Sequence, residues 1–177
     1  MGKIKTAVII ANLCLLAGYF VYSVSAKEKI LADGKLVLLR LAPRDPRSLM
    51  QGDYMRLDYE LARKMRDNNN KDLPKRGWCV LRVNAEGVAD SIRLFTGNKP
   101  LASDEVKVRF DGANRFRISL GAESFFFQEG RGVAYRDAKY GGLRIDKGGH
   151  SVLVGLYNED RKKIEDTNIV LDDMNDE

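Results

Sequence analysis

Two carboxylates, Asp53 and Glu129, are the residues of this sequence best suited by type and setting to acid–base chemistry. Asp53 follows Gly52 and Glu129 precedes Gly130, so both are predicted to lie at tight turns. Two carboxyl groups held about 5–10 Å apart can hydrolyse a glycosidic bond, which makes a membrane-anchored hydrolase one hypothesis. The alternative is structural: Asp53 caps its own turn, and Glu129 caps a helix that starts near Gly130. The structural alternative is favoured.

Nucleophilic and metal chemistry have few candidate residues in this chain. It holds one His and two Cys among 177 residues, whereas zinc and iron–sulfur sites generally need three or four such ligands. A catalytic triad would depend on His150, which follows two glycines in a predicted turn. Cys14 lies in a long uncharged run, and Cys79 alternates with apolar residues like a core thiol. We expect no metal and no cofactor, and a non-catalytic role is favoured while enzymatic activity stays undecided.

The N-terminal segment is predicted to cross a membrane. The 21 residues 6–26 include no charged residue. As a helix they would extend about 31 Å, close to the roughly 30 Å of a bilayer's hydrocarbon core. A cleaved signal peptide is the alternative, because Val24-Ser25-Ala26 offers a cleavage site. A retained span is favoured, since the run exceeds the usual length of a signal-peptide core and Tyr19, Phe20 and Tyr22 lie near its outer end.

Charge divides the rest of the chain. Lys3 and Lys5 precede the span, so we expect residues 1–5 in the cytoplasm and residues 27–164 outside it. Residues 165–177 hold six acidic and no basic residues, a composition typical of a disordered tail. Without this tail the chain has 30 basic and 19 acidic residues, which gives a formal charge of +11.

The pattern of residues 27–164 is that of a β-rich domain. From residue 53 apolar and polar residues alternate, as in a strand with one buried face, and the same period returns in several later segments. Leu36–Leu41 is almost continuously apolar, which indicates a strand covered on both faces. Turn residues at 111–114 and 147–149 predict two hairpins.

Two segments of this domain are predicted to be helical. They are residues 61–67, ended by three asparagines, and residues 130–140, ended by Gly141 and Gly142. The expected fold class is therefore mainly β, an antiparallel sandwich or partly open barrel with two short helices, preceded by one N-terminal transmembrane helix.

A sequence signature lies at the start of the alternating strand. Residues 52–59 read Gly-Asp-Tyr-Met-Arg-Leu-Asp-Tyr, the octet for which the GDYXXLXY family is named, and the chain resembles that family. Residues 41–59 resemble its first block, and residues 126–130 and 140–146 resemble later blocks. The similarity extends over about residues 4 to 157. Gly142 stands where the family pattern leads us to expect an acidic residue.

The resemblance implies a bacterial protein with one membrane helix, no established activity and a multi-span membrane protein as partner. We therefore expect a single-pass protein of the inner membrane, with its N-terminus inside and its β-rich domain extracytoplasmic, in the periplasm. The leading hypothesis is an accessory, assembly or interaction protein that docks on that partner. The candidate motif and contact residues are Arg44, Asp45, Arg47, Gly52, Asp53, Tyr54, Leu57, Tyr59, Phe126, Phe127, Gln128, Glu129, Gly130 and Tyr140.

Basic residues suggest a third hypothesis, a module that binds an anionic ligand. Arg109, Arg115 and Arg117 are predicted on the outward face of one hairpin, with Lys107 beside them. Nucleic acid is not an expected partner, because the basic segments lack interleaved exposed aromatic residues and a known binding motif. An anionic-lipid or anionic-polymer surface fits better, although a solvated face is the most ordinary interpretation. A true ligand site would require a concave pocket lined by arginine.

Overall fold

The computed structural model describes residues 2–42, 50–51, 54–68, 73–97, 100–114, 117–121, 123–128 and 132–165. A long helix α1 (Lys3–Asp33) comes first, and a shorter helix α2 (Glu60–Asn68) and a 3-10 helix (Gly132–Tyr135) come later. The described residues also form strands β1 (Lys35–Arg40), β2 (Met50–Gln51), β3 (Tyr54–Arg56), β4 (Arg76–Val83), β5 (Ala89–Leu94), β6 (Glu105–Asn114), β7 (Arg117–Ser119), β8 (Ser124–Phe126), β9 (Tyr140–Ile145) and β10 (Ser151–Tyr157).

These strands form three antiparallel sheets around one hydrophobic core. Their orders are β1-β9-β10, β2-β3-β8 and β5-β4-β6-β7. The core takes side chains from all three sheets and from α2, because each element presents one apolar face inward. The arrangement is a half-barrel, which confirms the predicted mainly β class with short helices after a long N-terminal helix.

Helix α1 is attached directly to this β-rich domain. It has 31 residues and is long and apolar enough to cross a membrane, and its most apolar stretch is not buried by the protein. It ends at Gly34, where a Cβ atom would collide with the carbonyl oxygen of Ile30. The guanidinium of Arg144 on β9 donates hydrogen bonds to the carbonyl oxygens of Ala32 (3.3 Å) and Gly34 (3.0 Å). The last turn of the helix is therefore held against the sheet.

The alternating pattern predicted the buried face of the signature segment correctly. Met55, Leu57 and Tyr59 are buried. The regular strand is shorter than the pattern suggested, since β3 ends at Arg56 and α2 begins at residue 60. Beyond Arg56 the chain stays extended through single contacts, such as the hydrogen bond from the amide of Leu57 to the carbonyl of Glu123 (2.8 Å).

The helix predicted over residues 130–140 is present only in part. A 3-10 helix occupies Gly132–Tyr135, and Gly141 and Gly142 lie inside β9 instead of ending a helix. The reason is tertiary: β9 is the central strand of its sheet, paired with β1 on one side and β10 on the other. Pairing on both edges outweighs the local tendency of glycine to end an element.

Both predicted hairpins are present, but one turn is displaced. Residues 147–149 join β9 to β10 as expected. Residues 111–114 belong to β6, because Asp111 pairs with Arg76 of β4 and their side chains form a salt bridge of 3.0 Å. β6 pairs with β7 up to Asn114, which is opposite Arg117, and residues 115–116 between them lie outside the described residues. Of the predicted acidic tail, residues 165–177, all but residue 165 lie outside the described residues.

Candidate functional site

The predicted motif residues fall into three groups. Those outside the described residues are Arg44, Asp45, Arg47, Gly52, Asp53, Glu129 and Gly130. The hydrolase hypothesis needs Asp53 and Glu129 close together and so stays a prediction. Leu57, Tyr59 and Tyr140 are buried, whereas Tyr54, Phe126, Phe127 and Gln128 are at least partly exposed.

Tyr54 and Phe126 form an aromatic pair on the adjacent strands β3 and β8. The two residues are directly opposite each other in register, with ring centroids 5.8 Å apart. Phe126 is 73% exposed, more than any other large apolar side chain described outside α1. Aromatic side chains are enriched at protein interfaces, so this pair is a candidate contact surface, called here the Tyr54–Phe126 surface.

The neighbours of Phe126 explain why its ring points to solvent. Successive side chains of a strand alternate between its faces, so Phe125 and Phe127 point opposite to Phe126. Both rings pack on the buried Tyr135, with centroid distances of 4.9 Å and 5.7 Å. This packing fixes β8 and its immediate continuation with Phe126 outward.

Tyr59, the last residue of the octet, belongs to the core. Its side chain is 1% exposed and covers Gly141 of β9, where a Cβ atom would lie 2.9 Å from Cε1 of Tyr59. Burial raises the pKa of the Tyr59 phenol above its ordinary value, and the charge of Glu123 raises it further. The phenol therefore stays protonated and is unsuited to acid–base catalysis.

A cleft of about 570 Å³ opens beside β3. Its charged lining residues are Arg40, Arg56, Asp58, Glu60, Arg136, Lys139 and Glu159. Two of its carboxylates are neutralised by cations of α2: Arg63 lies 2.9 Å from Asp58, and Lys64 lies 2.7 Å from Glu60. The hydrogen bond from Lys64 lowers the pKa of Glu60. The cleft is therefore concave, mixed in charge and lined by three arginines.

Tyr140 positions one of those arginines. It lies opposite Arg40 across β1 and β9, and the Arg40 guanidinium donates a 3.3 Å hydrogen bond to its hydroxyl oxygen. The same guanidinium lies 5.6 Å from the centre of the Tyr140 ring. Sequence reasoning included Tyr140 but missed Arg40, although a charge interrupting the apolar run Leu36–Leu41 was a visible signal.

The remaining reactive side chains have structural partners. The Cys79 thiol is fully buried and lies 3.4 Å from the carbonyl oxygen of Val108, and burial raises its pKa to about 12. It is the inert core thiol that the sequence predicts. His150 Nδ1 lies 3.1 Å from Oδ2 of Asp146, so this histidine closes the turn between β9 and β10.

The comparisons with known proteins agree with the signature. The family model described as GDYXXLXY protein matches residues 16–156, about four fifths of the chain. The matched region includes β3, the Tyr54–Phe126 surface and every lining residue of the cleft except Glu159. Neither the comparison with curated proteins nor that with solved structures finds a match. On the extent of the family match, the chain belongs to the GDYXXLXY family.

Proposed function

We propose that this protein is a membrane-anchored accessory or interaction protein that docks on a multi-span membrane protein through the Tyr54–Phe126 surface. The observation that carries the proposal is the exposure of the Phe126 ring, held outward by the packing of its two neighbours on Tyr135. Leaving such a ring in water forgoes about 1.5–3 kcal/mol of burial energy, which a partner surface would recover.

The attachment of the domain to α1 supports a partner within the same membrane. Residues 27–33 extend the helix about 10 Å beyond the uncharged run, and Arg144 fixes its end to β9. The domain is thereby held at the membrane surface, at the height of the loops of a neighbouring membrane protein. We place the N-terminus in the cytoplasm and the domain on the extracytoplasmic side of a bacterial inner membrane, from the lysines before the span and the family resemblance.

Site-specific cross-linking tests this proposal. A photoreactive residue replaces Phe126 in the full chain, and cross-links are formed in intact membranes. The matched control replaces Leu101, an apolar residue that is 41% exposed in the loop before β6. We expect position 126 to give a discrete adduct that mass spectrometry identifies as a multi-span membrane protein, and position 101 to give none. No adduct at 126, or the same adducts at both positions, would contradict the proposal.

The cleft favours a second candidate function, binding of a small anionic ligand. Arg40, Arg56 and Arg136 line a concave surface, and Tyr140 holds Arg40 in place. Calorimetric titration of the full chain with inorganic phosphate tests this function. Arg40→Met should abolish the binding, whereas Arg82→Met, an exposed arginine outside the cleft, should retain it. Absence of phosphate binding to the unmodified chain removes this candidate.

A further inference from the structure

A second cavity, of about 440 Å³, lies between α1 and the β-rich domain. We propose that this cavity binds the headgroup of an anionic phospholipid. The inference goes beyond the docking function and does not depend on it, because the cavity shares no lining residue with the Tyr54–Phe126 surface. The inference is also independent of which end of α1 lies in the cytoplasm.

The cavity lies beside the outer end of the uncharged run, and we place it at the height of lipid headgroups. On the helix side it is lined by Tyr19, Tyr22, Ala26 and Lys27, among others. Ala26 is the last residue of the uncharged run and Lys27 the first charged residue after it. This transition marks the boundary between hydrocarbon and headgroups, where tyrosine side chains are also enriched.

Two cations face this cavity from different elements. Lys27 comes from α1 and Arg109 from β6. Both residues are exposed, and neither forms a salt bridge with any residue that the structure describes. His150 also lines the cavity, but the Asp146 carboxylate beside its ring offsets the charge of a protonated imidazole. Lys27 and Arg109 are therefore the uncompensated charges, and a phosphate between them would balance both.

The opposite wall is made of two turns that are tied together. The hydroxyl of Ser151 donates a 2.6 Å hydrogen bond to the carbonyl oxygen of Leu120, which joins the start of β10 to the turn between β7 and β8. Gly121 follows with a positive φ of 85°, a conformation that other residues rarely adopt. The wall is thus preformed, and the exposed side chains of Tyr22 and Ala26 on the helix side add apolar surface for the glycerol and upper acyl carbons.

Native mass spectrometry of the full chain in detergent micelles tests the proposal. Phosphatidylglycerol is the anionic probe, and phosphatidylcholine is the zwitterionic comparison. We expect the chain to retain phosphatidylglycerol in preference. The double variant Lys27→Ser and Arg109→Ser should weaken that binding about thirtyfold, roughly fivefold for each cation lost at a lipid headgroup.

The matched control removes two positive charges at the far end of β10. Arg161 and Lys162 follow that strand in the chain, and the double variant Arg161→Ser and Lys162→Ser should leave lipid retention unchanged. Equal retention of the two lipids by the unmodified chain would overturn the proposal without recourse to any variant. Undiminished binding of phosphatidylglycerol by the double variant at Lys27 and Arg109 would also overturn it, provided that thermal unfolding shows the variant to be folded. Displacement of the lipid by soluble glycerol phosphate would also overturn it and assign the site to a free phosphate.

Discussion

Replacing Gly141 with alanine should destabilise the β-rich domain, because the added methyl group would press on the ring of Tyr59. A Cβ atom at this position would lie 2.9 Å from Cε1 and 3.0 Å from Oη of that ring, whereas ordinary contacts of a Cβ atom are 3.4–4 Å. The Tyr59 side chain is 1% exposed, so the ring has no solvent space into which it can move. Relief requires the surrounding core to shift.

The expected magnitude follows from two opposing terms. Overpacking a core typically costs about 1–3 kcal/mol, and replacing glycine by alanine regains about 0.4–1 kcal/mol by restricting the unfolded chain. We expect Gly141→Ala to lower the free energy of unfolding by about 1–2 kcal/mol. For a folded unit of this size that corresponds to a fall in Tm of about 3–10 °C.

A double-mutant cycle assigns that cost to the ring. Leucine in place of Tyr59 lacks the atoms that the methyl group would meet, so Gly141→Ala should be neutral or stabilising by up to about 1 kcal/mol in the Tyr59→Leu background. The coupling energy should therefore be about 2 kcal/mol. Gly18→Ala is the control, since a Cβ atom at residue 18 meets nothing within 4 Å.

Denaturant unfolding of the full chain in micelles measures these free energies. Trp78 is the single tryptophan of the sequence and lies in β4, so its fluorescence reports on the β-rich domain. Linear extrapolation then gives the free energy for each variant. If Gly141→Ala costs the same in both backgrounds, within about 0.5 kcal/mol, the ring contact is not the cause and the reasoning is refuted.

Three further predictions concern other contacts of the domain. The side-chain hydrogen bond from Arg93 lowers the pKa of Glu105 in the folded protein. The pair therefore stabilises the fold at any pH above the ordinary pKa of glutamate, and this stabilisation is lost as the pH falls through the lowered pKa of Glu105. Arg93→Met should thus lower Tm near pH 7 but hardly near pH 2, and equal losses at both would contradict this. In a Cys14→Ser variant, the buried Cys79 should resist a maleimide until denaturant is added; rapid native labelling would show an open core. Arg144→Met should loosen the end of α1 and broaden spin-label distances between helix and domain, and an unchanged distribution would count against the clamp.

The inward faces of β3 and β4 could be predicted from the sequence because their apolar residues recur with a period of two, although Val80 on the other face of β4 is buried as well. Cys79, Leu81 and Val83 share the inner face of β4, as their alternation indicates. The glycines of β9 could not be interpreted in the same way. Gly141 and Gly142 are needed because the rings of Tyr59, from the signature octet, and Tyr157, from the neighbouring strand β10, occupy the space that side chains would fill. Such a requirement is created by tertiary packing and leaves no periodic pattern.

In the candidate sites, too, local patterns could be predicted from the sequence and contacts between distant residues could not. Local alternation predicts that Phe126 points opposite to its neighbours, but the sequence alone favours burial of the run Phe125–Phe127 in the core, and the 73% exposure of the Phe126 ring contradicts that prediction. The cleft, in contrast, is assembled from Arg40, Arg56 and Arg136, which are far apart in the sequence and meet because β1, β3 and the segment after the 3-10 helix converge. Only the tertiary packing of these three segments determines which charges become neighbours.

The signature octet itself combines two roles that experiments can separate. Leu57 and Tyr59 point into the core, so changes at these positions should weaken folding and docking together. Tyr54 is half-buried and contributes to the surface beside Phe126, so a change there should reduce the proposed docking while the domain stays folded. Among the described residues of the octet, Tyr54 is therefore the position at which a loss of function can be attributed to the interface.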